Sequence, residues 1–208
     1  MKKTFIFIFS FFLFFSCLKQ GEINMYVKKG LQAYSHQNLD KAIYYFSFAA
    51  KRGKEKETSL IMLGKSYYYK GDKKLAKKTF HKLLRRNKYS IDALIWLTRL
   101  EGIDVKQYDK GLQYCNQVLR LDSDNYKAYF YRGIIREELK KTKLAIEDYT
   151  SALGLENIIF MSHYQLGLLY LNKGVIEKGV KELYKSLLYA PDSTVKKTIK
   201  EQIKKYEK

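Results

Sequence analysis

The sequence predicts an all-α chain of stacked helical hairpins, and three observations predict it. Glycines recur at Gly30, Gly64, Gly133 and Gly167, at separations of 34, 69 and 34, and Thr98 stands 34 beyond Gly64 in the long interval. A second series of small residues, Ala42, Ala76, Gly111, Ala145 and Gly179, advances by 34, 35, 34 and 34. One residue inserted between Thr98 and Gly111 accounts for both series. The chain also holds a single proline, and its apolar residues return every three or four positions, as amphipathic helices require. A glycine inside a helix costs ~1 kcal/mol relative to alanine. Its recurrence therefore marks a helix pressed by a second one. The bulky residues that do the pressing recur as well: Phe46, Phe80, Cys115, Tyr149 and Leu183.

The elements follow in order. Residues 1–16 have the pattern of a secretory signal: Lys2 and Lys3, the apolar run Phe5–Phe15, then the small Ser16. The run is too short for a comfortable membrane span. Leu13–Cys17, LFFSC, resembles a bacterial lipoprotein signal of the relaxed kind found in spirochaetes, with Phe14 where leucine is usual. That resemblance implies that Cys17 becomes the mature N-terminus and carries acyl chains such as palmitate. Two or more chains make a stable membrane anchor. Residues 17–22 then form a lipidated tether. An ordinary cleaved signal, or an uncleaved anchor, is the alternative.

Residues 23–193 divide into repeats 23–56, 57–90, 91–125, 126–159 and 160–193. The first is the most divergent in its opening helix, where Lys29 and Ala33 occupy inner positions. Its second helix, Leu39–Ala50, places Ala42, Phe46 and Ala49 on one stripe. The second repeat carries Leu60, Leu63, Gly64 and Tyr67 on its inner stripe and Gly71 at its turn. The third contains the insertion, in the stretch Glu101–Gln107, and the sole tryptophan, Trp96. The fourth is the clearest, AYFYRGIIREELKKTKLAIEDYTSALGLEN from Ala128. The fifth has Leu166, Gly167, Tyr170, Gly174, Gly179 and Leu183 in register, and Pro191 closes it. Residues 194–208 form an amphipathic helix with Val195, Ile199 and Ile203 spaced by four.

This order of large, small and aromatic positions at a 34-residue period resembles the tetratricopeptide repeat (TPR). The resemblance implies a right-handed α-solenoid of about five helix pairs, closed by a C-terminal capping helix. It implies further that first helices line a concave groove that binds a peptide or a partner helix. The groove positions carried onto this chain are Lys65, Tyr68 and Tyr69; Ile95, Trp96 and Arg99; Phe130, Tyr131, Ile134 and Glu138; and Tyr164, Gln165, Leu168 and Asn172. They form an aromatic trough with scattered cations, the residue types that dominate interface energies. Some of these aromatics can instead be packing between repeats. Val27, Leu31 and Met62 stand where the carboxylate clamp of chaperone-tail binders would place its polar residues, so an extended apolar peptide or an amphipathic helix fits better than an acidic C-terminal tail.

Lys and Arg number 40 against 21 Asp and Glu, a formal charge of +19. The second helix of repeat two concentrates this charge between Lys73 and Lys88. Contact with anionic lipid or an acidic partner is one reading. A solvated face in a chain of AT-rich codon usage is the other. Export and the absence of a base-reading motif speak against nucleic acid. His36, His81 and His163 fall in different repeats without ligand partners, so neither a metal site nor a cofactor is expected. His163 reads as a satisfied core residue. No nucleophile motif or phosphate loop is present, and no enzyme activity is expected. With Cys17 lipidated and Cys115 at a core position, no disulfide is expected. The chain thus reads as a membrane-anchored interaction scaffold. An outer-membrane assembly or secretin-pilot lipoprotein, and an accessory to a cell-wall enzyme, are the alternatives.

Overall fold

The computed structural model describes residues 21–52, 56–153 and 156–207. The signal segment and Cys17 lie outside them. Among the described residues there are helices and turns and no strand. Helix α1 covers residues 21–35 and so takes in Gly21 and Glu22, which the sequence reading assigns to the tether. It is followed by α2 (Leu39–Arg52), α3 (Lys56–Lys70), α4 (Lys73–Arg86) and α5 (Ile91–Leu97). The last runs into a π-helical segment, Thr98–Asp104. Then come α6 (Tyr108–Leu121), α7 (Tyr126–Glu138), α8 (Thr142–Ser151), α9 (Glu156–Asn172), α10 (Ile176–Leu188) and α11 (Ser193–Lys204). No described helix is long and apolar enough to cross a membrane. The chain divides into two compact units, one ending at Ala93 and one beginning at Leu94.

In both units each hairpin is organised by the predicted contact. A Cβ built on Gly64 would lie 2.5 Å from the Phe80 ring, and one on Gly30 2.7 Å from Phe46. In the second unit Gly133 meets Tyr149 at 2.7 Å and Gly167 meets Leu183 at 2.7 Å. Repeat three solves the same contact differently. Thr98 has a side chain, and the opposing residue shrinks to Cys115, whose Sγ donates to Thr98 Oγ1 at 3.7 Å. Cys115 is fully buried and free.

The inserted residue is held inside a helix. In the other repeats the backbone N–H eight positions after the packing residue donates five residues back: Asn38 to Ala33, Asp72 to Tyr67, Lys141 to Arg136 and Val175 to Tyr170. In repeat three Gln107 donates six back, to Glu101, at 2.9 Å. The extra residue therefore lies between Glu101 and Gln107, as the sequence indicates. It widens the last turn to π geometry, a common way for a helix to absorb an insertion. The widened turn brings Gly102 against α6, where a Cβ on Gly102 would sit 2.7 Å from the Cα of Gly111. This is why the small position of repeat three is glycine where repeats one, two and four have Ala42, Ala76 and Ala145; in repeat five Gly179 is required by Leu171, 2.6 Å from where its Cβ would lie.

The turns between paired helices share one left-handed residue: Gln37, Gly71, Lys106, Lys140 and Gly174, with φ of 57°, 95°, 58°, 58° and 76°. A side chain disfavours this conformation by ~1–2 kcal/mol. Lys140→Gly is accordingly expected to stabilise the chain by ~0.5–1 kcal/mol, read as a higher urea midpoint; the gain is reduced by the freedom glycine adds to the unfolded chain.

Helix α11 closes the second unit as expected of a cap. Its Ile199 and Ile203 are buried in a cluster with Leu171 and Leu183, and Asp192 caps it by accepting from the Val195 N–H at 2.9 Å. Burial also shapes the titration of three core groups. It pushes the Cys115 thiol from its ordinary 9.0 up to about 12. It raises the Tyr149 phenol, helped by the hydrogen bond that Tyr149 donates to Glu137 at 2.6 Å. It raises Tyr114, which donates to the buried Glu101 at 2.8 Å. A raised folded-state pKa means that the folded chain keeps its proton while the unfolded chain loses it, so the stability present below pH 9 falls as pH rises. The melting temperature is expected to drop progressively above pH 9, and Cys115→Ala is expected to flatten the part between pH 9 and about 12.

Candidate functional site

The first unit brings together the groove residues predicted for repeat two. The rings of Tyr68 and Tyr69, adjacent on α3, lie 5.5 Å apart and perpendicular. Tyr69 also meets the Tyr34 ring of α1 edge-on at 6.2 Å. Lys73 Nζ lies 5.7 Å from the centre of the Tyr68 ring, a cation–π distance. Tyr69 is more than half exposed, while Lys65 and Tyr68 are half-buried. The sequence reading omits Tyr34, although it stands 34 before Tyr68 and so occupies the same register position. The hairpins are tied at their rim by an ion pair from Asp40 of α2 to Lys70 of α3.

In the second unit the predicted residues separate by depth. Phe130 is not a groove residue: it is 1% exposed, clustered with Ala145, Tyr149, Ile158 and Leu166 from α8 and α9. Its position, three before the packing glycine, faces the next repeat. Ile95, three before Thr98, is buried for the same positional reason. Trp96 is also largely covered, at 9% exposure, with the Arg99 guanidinium 5.7 Å from its ring. Tyr131 stays half-buried beside Phe130, ring to ring at 5.6 Å.

Against the fifth repeat packs α11, a single helix of 12 residues, shorter than the 17-residue α9 that packs against repeat four, and it covers its repeat incompletely. Tyr164, at the position corresponding to Phe130, therefore opens onto a cleft of about 390 Å³. Phe160, Met161, Tyr164 and Gln165 of α9 form one wall, and Val195, Thr198 and Ile199 of α11 form the other. The Phe160 and Tyr164 rings stack at 6.1 Å. Gln165 and Thr198 supply the polar groups, and Met161 is 40% exposed at the mouth. An apolar cleft with a few convergent polar groups is suited to the side chains of an amphipathic segment. The apolar spacing of Val195 and Ile199 is a sequence signal for the α11 wall; Phe160 and Met161 carry no such signal.

The second unit also holds an ionic cluster that the sequence reading misses. Asp148 of α8 is 2% exposed. Arg132 of α7 donates to both of its carboxylate oxygens, at 2.7–3.1 Å, and Arg136 pairs with it at 2.8 Å. Arg132 Nη1 also donates to Asn116 of α6 at 2.9 Å, so one guanidinium joins three helices. His163 is buried and bonded to Glu182 at 2.6 Å, as its core position implies. Glu137 and Glu138 face different partners, Tyr149 and Tyr108. Among the described residues no group of His, Cys, Asp and Glu has the arrangement of a metal site.

Residues 58–88 match the family model of the tetratricopeptide repeat. A curated relative, tetratricopeptide repeat protein 37 of Xenopus laevis, is 29% identical over 90 residues, which are 42% of this chain and 6% of that protein. The chain thus aligns with only a small part of that relative. The solved structure of TTC0263, a thermophilic TPR protein of Thermus thermophilus, superposes with a TM-score of 0.69 at 18% identity, covering 88% of this chain and 98% of that one. YrrB, described as a TPR protein with an unusual peptide-binding site, superposes with a TM-score of 0.58 at 21% identity, covering 85% and 90%.

Proposed function

We propose that this chain, a tetratricopeptide-repeat protein, is a membrane-anchored, non-catalytic scaffold that holds a segment of a partner protein against its first helices. The observation that carries the reading is the α9–α11 cleft, in which Tyr164 and Gln165 face an open, mostly apolar space. The exposed Tyr69 beside Tyr34 and Tyr68 offers a second contact of the same character. YrrB, a neighbour in fold, is described as having a peptide-binding site, which supports the class of ligand. The preferred ligand is an amphipathic helix or an extended apolar peptide.

The anchor is the lipid on Cys17, placing the repeats at the periplasmic face or the cell surface. Membrane fractionation of Cys17→Ala with a high-salt wash, which removes electrostatic attachment, tests it: the variant should leave the membrane fraction after signal cleavage, and retention there would contradict lipid anchoring. Affinity purification from detergent-solubilised membranes tests the scaffold role. A partner should co-purify with the parent chain and be lost with Tyr164→Ala/Met161→Asp, while helix content stays unchanged. Recovery of the same partners by the variant would remove the cleft from the account. Barrel-assembly proteins, secretin subunits or cell-wall enzymes among those partners would select between an assembly or pilot role and an accessory role to a wall enzyme.

A further inference from the structure

A different face of the first unit carries a site that the scaffold reading does not use. Helix α4, KKLAKKTFHKLLRR, contains seven lysines and arginines and no acidic residue. Three of those lysines, Lys73, Lys74 and Lys77, lie in the first turns, where the helix macrodipole disfavours positive charge. The nearest acid, Asp72, caps the helix by accepting from the Leu75 N–H at 2.9 Å. The charge of the first turns is therefore not arranged to stabilise the helix, in contrast to Arg85 and Arg86 of the last turn. Between α2 and α4 runs a slot of about 300 Å³. Its floor is mostly apolar, with Ala50, Leu63 and the 38%-exposed Leu75 beside Tyr67 and Thr79, and its rim carries Lys51, Lys78 and Lys82.

We propose that this α2–α4 face binds the surface of an anionic phospholipid bilayer, with headgroup phosphates on Lys51, Lys78 and Lys82 and with Leu75 and the slot against the apolar side of the headgroup layer. Charge complementarity selects an anionic surface. The apolar floor and the exposed Leu75 select lipid over nucleic acid, whose sugar–phosphate backbone would leave them uncovered. Each cation near an anionic membrane adds ~1 kcal/mol, which is about fivefold in affinity. The proposal stands independently of the α9–α11 cleft and of acylation at Cys17.

Flotation of the full chain with vesicles of phosphatidylcholine alone, and of phosphatidylcholine mixed with phosphatidylglycerol, tests the site. The N-terminal apolar segment contributes to both, so the readout is the preference for anionic vesicles. The parent chain should prefer them by at least roughly 100-fold at low salt, about fivefold for each of the three cations, and lose the preference at high salt. Lys51→Glu/Lys78→Glu/Lys82→Glu should reduce the preference by about 100-fold, at roughly fivefold per cation. Lys196→Glu/Lys197→Glu/Lys200→Glu, with the same change in net charge but on α11, should reduce it much less, and Leu75→Asn should reduce it without altering the salt dependence. All of these residues are exposed, and an unchanged circular dichroism spectrum confirms folding of each variant. Equal losses in the two triple variants, no preference in the parent chain, or tighter binding to a mixed-sequence DNA duplex than to anionic vesicles would overturn the proposal.

Discussion

Asp148→Asn is expected to destabilise the chain by ~3–5 kcal/mol, the cost of leaving a buried charge cluster without its counter-ion. Asp148 is 2% exposed and receives two guanidinium groups, Arg132 and Arg136, on one carboxylate. Asparagine keeps the shape and one acceptor, but it leaves two like charges facing each other where water enters poorly. The loss should appear as a lower urea midpoint with little change in slope. Because the cost is that of uncompensated charge, removing the charges should relieve it. Asp148→Leu combined with Arg132→Met and Arg136→Leu should retain much of the parent stability, since apolar replacements of whole buried ion clusters are often neutral or better. A loss below about 1 kcal/mol for the single variant would show that the cluster is solvated and contributes no more than a surface pair.

The second large effect is expected at the helix contact that defines the repeat. A leucine at position 133 would place its Cβ 2.7 Å from the Tyr149 ring, and that ring is fully buried with its hydroxyl fixed on Glu137. Overpacking of this kind costs ~1–3 kcal/mol, and the upper end applies where the neighbour cannot move. Repeat three provides a remedy within the same chain: it has Thr98 at this position and Cys115 opposite. Gly133→Thr alone should be strongly destabilising. In Gly133→Thr/Tyr149→Cys, which copies that pair, the loss should be smaller than the sum of the two single losses by ~1 kcal/mol or more, within the coupling range of residues in contact. Additive losses would mean that the two side chains do not meet as described.

These two effects differ in how legible they are in the sequence. The Gly133–Tyr149 contact is written into the 34-residue period, because a repeat forces the same contact to recur and recurrence can be counted. The insertion in repeat three can be located between Thr98 and Gly111 by the same counting. Its form as a π turn, and the consequent need for glycine at 111, cannot, because winding is a backbone response without a residue signature. The Asp148 cluster is invisible for a different reason: it occurs in one repeat only, so no period reveals it, and charged residues on helices usually face solvent.

The candidate site is legible in part. Register places Tyr68, Tyr69, Tyr164 and Gln165 on accessible first-helix faces, and the same register adds Tyr34. It fails for Phe130 because one register position has two environments. In repeats three and four the position three before the packing residue, Ile95 and Phe130, is buried. In the last repeat it is covered only by α11, whose shorter reach leaves Tyr164 beside a cleft. Depth therefore depends on place in the array as well as on register, which a residue-by-residue transfer of groove positions does not encode.

The central claim is that a partner segment lies against the first helices, and site-specific photocrosslinking in cells measures this directly. A photoreactive phenylalanine analogue is placed in turn at Tyr69, at Tyr164 and, on the outer side of α2, at the 61%-exposed Tyr44. The account predicts a discrete higher-mass protein adduct from positions 69 and 164 and none from 44. Adducts from Tyr44 alone, or equal labelling from all three positions, would contradict it.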